Sequence, residues 1–472
     1  MLNKFKKSDI LIIILFVSIF ILRFIKIGQL FVFSLDEEYQ SLLAWSQVKD
    51  FHPIWIGVSA SNIGFYLGPG LVYLTALLLK ISQGDPLILG YFSSFVGFIT
   101  TVSLFFITRK LFNKKIALIA AIIYGFSELI IYYDRKYWPI GVPLVALWLI
   151  YFLVKTNTNP KYFLIVSFLM GVAYHLHLTL FLFWPIIIGF LIINRKKIKI
   201  QSALVSIVIF LAVVSPLIVY DFVHNFDNLK TPYRLISNLN NNSSSGLLVN
   251  ARLITSTLVR VFTNNIIFQK FSPYISLFVI AVALIMLFRQ FFSGKLAVKI
   301  IDGFSIVFLS TSLLYPGPMQ EYYFVIFFPV LAIILAVLLN KLPVVFTYFF
   351  LALYVVTNIL TFSQTISDNR HGLSAKKDLI VKTMRYVNQP YYLATKSAYR
   401  DNGGWHYLFK AYGKTPDQSD ADQMFGWIYQ DEISGKKPPL KIIITENKFI
   451  PLPMNFKEIK SGSYYSYITA NK

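Results

Sequence analysis

The stretch DILIIILFVSIFILRFIKIGQLFVFSLDEEYQ, residues 9–40, places a long apolar run directly before three consecutive carboxylates, Asp36, Glu37 and Glu38. About twenty consecutive apolar residues are enough to cross the hydrocarbon core of a bilayer as an α-helix. We therefore predict a first transmembrane span over 9–28, with the carboxylates at the membrane boundary beyond it. This stretch raises the question of why an apolar and basic chain concentrates negative charge there.

Basic residues on both sides of this apolar run predict its orientation. Lys4, Lys6 and Lys7 precede the span, and the cytoplasmic ends of membrane helices carry an excess of Lys and Arg. The N-terminus is therefore predicted to be cytoplasmic. Arg23 and Lys26 lie near the far end of the span, where we expect their long side chains to extend toward the headgroups.

The composition of the whole chain indicates an α-helical polytopic membrane protein. Of its 472 residues, 56% are hydrophobic, 17% are aromatic and only 14% are charged. The apolar runs have the length of membrane helices, which excludes the short alternating strands of an outer-membrane barrel. We predict an integral protein of the plasma (inner) membrane.

The net charge of +22 is explained by short basic loops between the apolar runs. Such loops orient membrane helices and contact anionic headgroups, so we predict membrane lipids, and no nucleic acid, among the partners. The chain has no cysteine, which excludes disulfide bonds, thiolate metal ligands and a cysteine nucleophile.

The apolar run 63–82 decides the topology of everything after it. It begins IGFYLGPGLVYL, in which glycines and a proline weaken the first helical turns. If it crossed the membrane, the basic loops 109–115 and 194–199 would face outward, against the distribution of basic residues in membrane proteins. We predict that it lies in the interface and that the C-terminus is extracytoplasmic. With the first span, about eleven transmembrane helices result, the others near 87–108, 116–132, 139–154, 161–175, 179–193, 201–220, 273–289, 299–315, 322–339 and 343–362.

On this topology, five segments face outward. They are the loop 29–86, YYDRKYWP (132–139), the turn HLHL (175–178), the polar segment 221–272 and YPGPMQEYY (315–323). Within the polar segment, NLNNNSSSG (238–246) has the composition of a flexible loop tip.

A change to polar composition after residue 362 predicts two domains. Residues 1–362 form the transmembrane domain, with the external loop 29–86 as its catalytic segment, and 363–472 form a small extracytoplasmic α/β domain. In the latter, WHYLFKAYG is typical of a helix start, whereas YYLAT, KIIIT and SYYSYIT are typical of strands.

Charged and aromatic residues of the outward segments are the candidate site residues. Asp36 and Glu37 have two interpretations: they cap the helix that follows them, since acids favour a helix N-terminus, or they act in catalysis. Both interpretations can hold at once, because a helix start also fixes the position of an acid.

The other candidates also have a structural alternative. Arg135 and Lys136, beside Asp134, either form a cationic site for a phosphate or an exposed ion pair with basic side chains that reach the headgroups. His175 and His177 have no adjacent carboxylate ligands, so a zinc site is not predicted. Two interpretations of these histidines remain: they are turn residues satisfied by hydrogen bonds, or they contact the substrate. The remaining pair, Tyr322 and Tyr323, is either substrate-binding or part of an interfacial aromatic belt.

The order of these motifs resembles the GT-C superfamily of membrane glycosyltransferases, and more closely its bacterial branch related to protein O-mannosyltransferases and the lipid A aminoarabinose transferase. The similarity covers residues 1–362, and Gly68-Pro69-Gly70 stands where that branch usually has Pro-Pro. The matching pieces are LDEEY (35–39), LGPGLVYLTALLLKISQGDP (67–86), RKLFNKKIALIAAIIYGFSELIIYYDRKYWPIGVPL (109–144), GVAYHLHLTLFLFWP (171–185), SPLIVYDFVHNF (215–226) and EYYFVIFFPV (321–330).

The resemblance implies a transferase with a GT-C-like fold that moves a sugar from a polyprenyl-phosphate donor to an acceptor hydroxyl on the external face, with inversion. Asp36 matches the catalytic acid of the family and Glu37 its neighbour. The acceptor is a lipid, a glycan or a protein. Some superfamily members use a divalent metal, but the clustered ligands here are too few for us to predict one.

Two other functions are compatible with the apolar bundle. A transporter or flippase for lipid-linked sugars predicts charges at mid-membrane depth and internal repeats, whereas the acids here cluster at one external boundary. An inactive glycan-binding membrane scaffold would leave Asp36 and Glu37 without a chemical task, and a fold alone does not prove activity.

Overall fold

A computed structural model describes most of the chain as a helical bundle with a small C-terminal sheet. The NLNNNSSSG run predicted as a loop tip lies, except for Gly246, outside the described residues, as do Lys4 and Lys6. The described residues are 7–60, 64–195, 198–231, 246–262, 272–315, 319–367, 370–396, 403–421, 429, 438–446, 448 and 456–470.

The helices follow the apolar runs of the sequence. In chain order they are α1 (Lys7–Phe24), α2 (Ile27–Leu30), α3 (Leu35–Lys49), α4 (Gly70–Ile81), α5 (Leu87–Leu111), α6 (Lys114–Phe126), α7 (Glu128–Arg135), α8 (Val142–Thr156), α9 (Phe163–Leu176), α10 (Phe183–Asn194), α11 (Ile200–Val223), α12 (Leu247–Phe262), α13 (Pro273–Ser293), α14 (Leu296–Leu314), α15 (Phe328–Leu339), α16 (Val344–Ser367), α17 (Leu373–Met384) and α18 (Trp405–Tyr412). Short 3₁₀ helices cover Pro160–Tyr162, Leu178–Leu182 and Glu321–Ile326.

Helix length and apolarity confirm an integral membrane protein. Among the described residues, five helices are long and apolar enough to cross a bilayer, or six if α6 and α7 count as one bent span. Several other apolar helices are shorter, so the number of about eleven spans stays a prediction. The helix α4 has only 12 residues, or about 18 Å, but α10 and α15 have the same length, so the interfacial position of this segment also stays a prediction.

The predicted span 116–132 is broken in the structure. The axes of α6 and α7 differ by 67°. Ser127 stands between them with an extended backbone, and its hydroxyl accepts a hydrogen bond from the backbone N–H of Ile130. A serine that begins a new helix in this way ends the old one, because its backbone leaves the helical conformation. The break turns the end of α7 sideways across the outer end of α1.

The strands form two small sheets. A two-stranded antiparallel pair joins β1 (Ser59–Ala60) to β2 (Phe65–Tyr66). The C-terminal sheet has the order β4-β3-β5-β7-β6, in which β3 is parallel to β4 and β5, and β7 is antiparallel to β5 and β6. Its strands are β3 (Tyr391–Thr395), β4 (Gln418–Ser419), β5 (Leu440–Thr445), β6 (Lys457–Ser461) and β7 (Tyr464–Ala470). The predicted α/β C-terminal region, with its three strands and the helix at Trp405, is confirmed.

The C-terminal region packs directly on the end of the bundle that carries α2 and the start of α3. One continuous apolar cluster contains Phe31 and Phe33, which follow α2, together with Trp405 and Ile442 of the C-terminal region. The backbone N–H of Leu373 donates to the carbonyl oxygen of Phe31 at 2.9 Å. The stretch between α1 and α3 therefore contacts the C-terminal region on one side and the helical bundle on the other.

Candidate active site

The three consecutive carboxylates occupy the first turn of α3 and point in three directions. Successive residues of a helix are about 100° apart, so neighbours face different surroundings. Asp36 is exposed, whereas Glu37 and Glu38 are each 0% exposed. All three lie in the first turn of the helix, where negative side chains are stabilising. Their environments differ enough to separate their roles.

Glu37 fixes the start of α3 to the segment 132–139. One carboxylate oxygen accepts from the backbone N–H of Ser34 at 2.9 Å, and also from the Ser34 hydroxyl. The other oxygen accepts from the backbone N–H of Trp138 at 3.0 Å. Because both oxygens are occupied in a buried position, the geometry favours a positioning role for Glu37 over the catalytic role predicted from the sequence.

Glu38 fixes the same helix to the C-terminal region. Its carboxylate accepts from the backbone N–H of Tyr407 at 2.9 Å and from the hydroxyl of Tyr429 at 3.3 Å. Nearby, the ammonium of Lys376 is fully buried and donates to the carbonyl oxygens of Phe33 and Gly403, each at 2.7 Å. The C-terminal region is thus bonded to both sides of the turn that presents Asp36.

Asp134 is turned into the bundle. Its carboxylate forms an ion pair with Arg23, with 2.6 Å between Nη2 and Oδ2, and it accepts from the Tyr124 hydroxyl at 3.3 Å. Arg23 is 0% exposed, so the prediction that it extends to the headgroups was wrong. The reason is the sideways turn of α7, which brings a carboxylate to a guanidinium that would otherwise have to leave the membrane. Substrate binding by Asp134 stays a prediction that this arrangement does not favour.

Arg135 holds the outer end of α1 and also faces a cavity. Its Nε and Nη2 groups donate to the carbonyl oxygens of Arg23, Leu22 and Ile25, which α1 leaves unsatisfied at its C-terminal end. The guanidinium stacks over the Phe362 ring, 4.8 Å from its centroid. Within the described part of the chain, its Nη1 group has no hydrogen-bond acceptor. Its predicted phosphate contact therefore rests on Nη1.

A cavity of about 140 Å³ adjoins this guanidinium at the same end of the bundle as α2. Apolar residues of α2 and α16 form part of its wall, and polar residues face it from α7, α16 and the segment that leads to α17. The lining residues are Gln29, Leu30, Val32, Glu128, Tyr132, Arg135, Phe362, Thr365, His371 and Gly372. Lys136 lies next to it, with its ammonium 5.9 Å from the centroid of the Tyr132 ring. The volume suffices for a phosphate-sized group.

Four aromatic rings lie together next to the contact between Glu37 and Trp138. The Trp138 ring lies 5.5 Å from the His177 ring, which lies 5.9 Å from Tyr322 and 6.2 Å from Tyr323 (centroid distances). We call these four residues the aromatic wall. The structure therefore brings His177 to Tyr322 and Tyr323, which were predicted from a different motif.

His177 is the polar member of the aromatic wall. Its Nδ1 accepts from the backbone N–H of Thr179 at 3.2 Å, so Nε2 carries the proton of the neutral ring. Burial lowers the pKa of His177 to about 4. Among the described residues Nε2 has no hydrogen-bond partner, which leaves an N–H donor at the wall.

His175 has a structural position instead. Its Nδ1 accepts from the backbone N–H of Gly70 at 3.0 Å, and its Nε2 lies 2.9 Å from the carbonyl oxygen of Val213. A Cβ atom at Gly68 would overlap the His175 ring. This contact explains why Gly68 stands where related sequences have proline. The imidazole of His175 occupies the space that a side chain at position 68 would need. Both ring nitrogens are used, so substrate binding by His175 is not favoured.

Three contributors to the site were not predicted from the sequence: Trp138, Glu38 and Arg260. Arg260 of α12 forms an ion pair with Glu321, which also accepts from the Tyr133 hydroxyl at 2.9 Å. Its side chain is 30% exposed. The available signal was a basic residue and an acid within two segments predicted to face outward, 221–272 and 315–323, but no local spacing pairs residues so distant in sequence.

The described residues contain no group of three or more His, Asp or Glu side chains that could hold a metal ion. A divalent metal is therefore not assigned to this site.

Comparison with known proteins gives a family match over the middle of the bundle. Residues 67–220 match the family model of the dolichyl-phosphate-mannose-protein mannosyltransferases. This segment contains the Gly68-Pro69-Gly70 turn, the 132–139 segment and both histidines of HLHL. No curated protein matches the chain by sequence.

Solved structures share the fold over nearly the whole chain. ArnT from Cupriavidus metallidurans in the apo state superimposes with a TM-score of 0.66 at 11% identity, covering 99% of each chain. The same protein bound to undecaprenyl phosphate gives 0.64 at 10% identity, covering 98% of each chain. The archaeal oligosaccharyltransferase AglB from Archaeoglobus fulgidus, in complex with an inhibitory peptide and a dolichol-phosphate, gives 0.50 at 13% identity, covering 92% of this chain and 69% of AglB.

These comparisons confirm the resemblance to membrane glycosyltransferases of the GT-C superfamily and show an ArnT-like fold. The match to ArnT includes the C-terminal sheet, because nearly all of both chains is covered. At this level of identity the fold is shared, whereas the sugar, the acceptor and the roles of individual residues belong to the proposal that follows.

Proposed function

We propose that this protein transfers a sugar from a polyprenyl-phosphate donor to an acceptor hydroxyl on the extracytoplasmic face, with inversion at the anomeric carbon. Related folds hold lipids of this class: one ArnT structure is bound to undecaprenyl phosphate, and the AglB complex contains a dolichol-phosphate. The family that matches residues 67–220 is described by a dolichyl-phosphate-mannose donor. A lipid donor also suits a site at the membrane boundary.

The observation that carries the proposal is the exposure of Asp36 next to the two buried carboxylates that follow it. Glu37 and Glu38 tie the first turn of α3 to the bundle on one side and to the C-terminal region on the other. The carboxylate of Asp36 is thereby presented at a fixed position while it remains accessible. Such positioning is what a general base requires, because its effect depends on reaching the proton in the transition state.

The reaction needs one base and little acid. The acceptor oxygen attacks the anomeric carbon as the bond from that carbon to the phosphate oxygen breaks, and the acceptor proton passes to Asp36. The lipid phosphate leaves with the bonding electron pair. A phosphate is a weak base, so its departure needs charge stabilisation more than protonation. A single displacement inverts the configuration.

Cations near the cavity would stabilise the charge that develops on the leaving phosphate. We assign this role to Nη1 of Arg135, to Lys136 and to Arg260. Arg135 is held rigidly by its carbonyl contacts, and a prearranged cation needs little reorganisation during the reaction. Arg260 is already paired with Glu321, so its field is partly offset, and its contribution should be smaller.

The aromatic wall would contact the sugar. Aromatic rings offer apolar faces to the C–H groups of a sugar, and the Nε2–H of His177 can donate to a hydroxyl. Because the pKa of His177 is lowered to about 4, the ring stays neutral throughout the physiological range. The His177 contact should therefore add no pH dependence between about pH 5 and 8.

The proposal is tested by incubating the purified protein with a panel of polyprenyl-phosphate sugars. Release of free lipid phosphate together with transfer of the sugar to an acceptor, or to water, is the expected result for at least one donor. The product should have the opposite anomeric configuration to the donor. Movement of the intact lipid-linked sugar across a vesicle membrane without its cleavage would instead identify a flippase. Binding without either event would identify a scaffold.

A further inference from the structure

A buried carboxylate at the opposite end of the bundle has no task in the proposed reaction. Asp302 lies on α14 and is 3% exposed. Its Oδ2 atom is shielded from solvent and has no hydrogen-bond partner in the described part of the chain. Buried polar groups are normally satisfied, and an ionisable residue inside a membrane helix marks a functional site by default.

The carboxylate faces a cavity of about 30 Å³. This volume accepts one or two water-sized groups, which excludes a sugar or a phosphate. The wall is mostly apolar, and Gln290 and Lys341 are its other polar members. The lining residues are Phe112, Gln290, Val298, Ile301, Asp302, Ile333, Ile334, Val337, Leu338 and Lys341.

The position of this cavity connects it to the lipid headgroups. Asp302 is the seventh residue of α14, so it lies about 9 Å from the helix start along the axis. Leu338 on the wall is 51% exposed, so the cavity adjoins the lipid-facing surface. Lys341 lies just beyond α15. By the distribution of basic loops, this end of the bundle is predicted to be cytoplasmic.

We infer that Asp302 binds the primary ammonium group of an aminophospholipid of the cytoplasmic leaflet. The carboxylate of Asp302 lies deeper in the membrane than the ammonium of Lys341. The two groups therefore match a headgroup whose terminal ammonium contacts Asp302 and whose phosphate contacts Lys341. An ammonium fits the available volume and donates to Oδ2. A trimethylammonium is larger and has no N–H to donate. The apolar wall then adjoins the glycerol and acyl region.

The experiment measures which lipids remain on the purified protein. Delipidated wild-type protein is mixed with vesicle lipids that carry phosphoethanolamine, its N-methyl and N,N-dimethyl forms, or phosphocholine, at equal mole fractions. Retained lipid per protein is counted by native mass spectrometry. Retention should fall along this series, with phosphoethanolamine preferred over phosphocholine by about tenfold or more, as expected for a charge-assisted hydrogen bond. Equal retention of the two end members would overturn the inference without reference to any variant.

Variants separate the carboxylate from general basic attraction. Asp302→Asn should abolish the headgroup preference while leaving total lipid retention similar, whereas Lys341→Ala should lower retention of all four lipids. Lys295→Ala, at an exposed position of the same membrane boundary, is the matched control and should change neither. Soluble glycerophosphoethanolamine tests whether the headgroup alone suffices. Displacement by it at lipid-like concentrations would contradict a membrane lipid as the ligand, and an unchanged preference in Asp302→Asn would contradict the role of Asp302.

Discussion

The segments 33–40 and 132–139, both predicted to face outward, carry clustered charges at helix ends, yet these charges have different environments in the bundle. In 33–40 one acid, Asp36, stays exposed while its two neighbours are buried. In 132–139 the acid, Asp134, is buried against Arg23, and the adjacent arginine caps α1. The first segment begins a helix and the second ends one.

This contrast shows how the direction of a helix end sorts charged side chains. A helix start offers unsatisfied N–H groups and a positive field, so acids are held there while one of them still faces outward. A helix end offers no such field for an acid, and Asp134 is stabilised by an ion pair instead. We therefore expect loss of the Arg23–Asp134 ion pair to affect mainly folding, and changes at Asp36 to affect mainly the reaction.

The largest effect on stability is expected where the buried ion pair is broken. Arg23→Met removes the partner of Asp134 and leaves a buried carboxylate without its cation, which costs about 3–5 kcal/mol. The free energy of unfolding can be followed by denaturant titration in detergent. Arg109→Met, at an exposed position near the end of α5, is the control and should cost less than about 0.5 kcal/mol. An equally small loss of stability in Arg23→Met would contradict the view that the ion pair with Asp134 stabilises the fold.

A smaller effect is expected from the contact between α3 and the C-terminal region. Glu38→Gln replaces hydrogen bonds to a charged acceptor by weaker ones, at a cost of about 1.5–3 kcal/mol. Hydrogen exchange of the backbone over 403–421 should accelerate, because Tyr407 loses its charged acceptor. The exposed Glu458 of β6 provides the control variant Glu458→Gln. Unchanged exchange in Glu38→Gln would mean that the apolar cluster alone holds the region in place.

The smallest effect is expected at the cap of α3. Ser34→Ala removes one hydrogen bond to Glu37 but keeps the backbone N–H contact at 2.9 Å, so about 1 kcal/mol of stability should be lost. Turnover per folded molecule should stay within a few-fold of the parent. If turnover instead fell as far as it does on loss of a catalytic base, the cap itself would control the position of Asp36.

The sequence predicted those features that depend on local patterns. Apolar runs located the helices, and the strands YYLAT, KIIIT and SYYSYIT were found because alternating or continuous β-branched and aromatic residues favour strands. The strand β6, with the sequence KEIKS, was missed because an exposed edge strand has no apolar pattern. The break at Ser127 was also missed, because Ser127 and Glu128, which have the pattern of a helix start, are a single polar pair within a long apolar run.

Contacts between distant segments were beyond sequence reasoning. Arg23 and Asp134 are 111 residues apart, and Glu38 lies 369 residues from Tyr407. Local spacing cannot pair such residues. The sequence therefore predicted that the Arg23 side chain extends toward the headgroups, and it predicted no function for Glu38. Three members of the aromatic wall were predicted only as separate residues and Trp138 was not predicted, because the bend between α6 and α7 and the turn at His177 bring the four together.

The central claim is that Asp36 is the base, and one variant tests it most directly. Asp36→Asn keeps the size and capping ability of the residue but removes the proton acceptor. We predict normal extraction, folding and donor binding, with sugar transfer at no more than about a hundredth of the parent rate. Asp50→Asn, which changes an exposed carboxylate at the other end of the same helix, should transfer normally. Near-normal transfer by Asp36→Asn would contradict the account, because the acids would then serve only to cap and anchor α3.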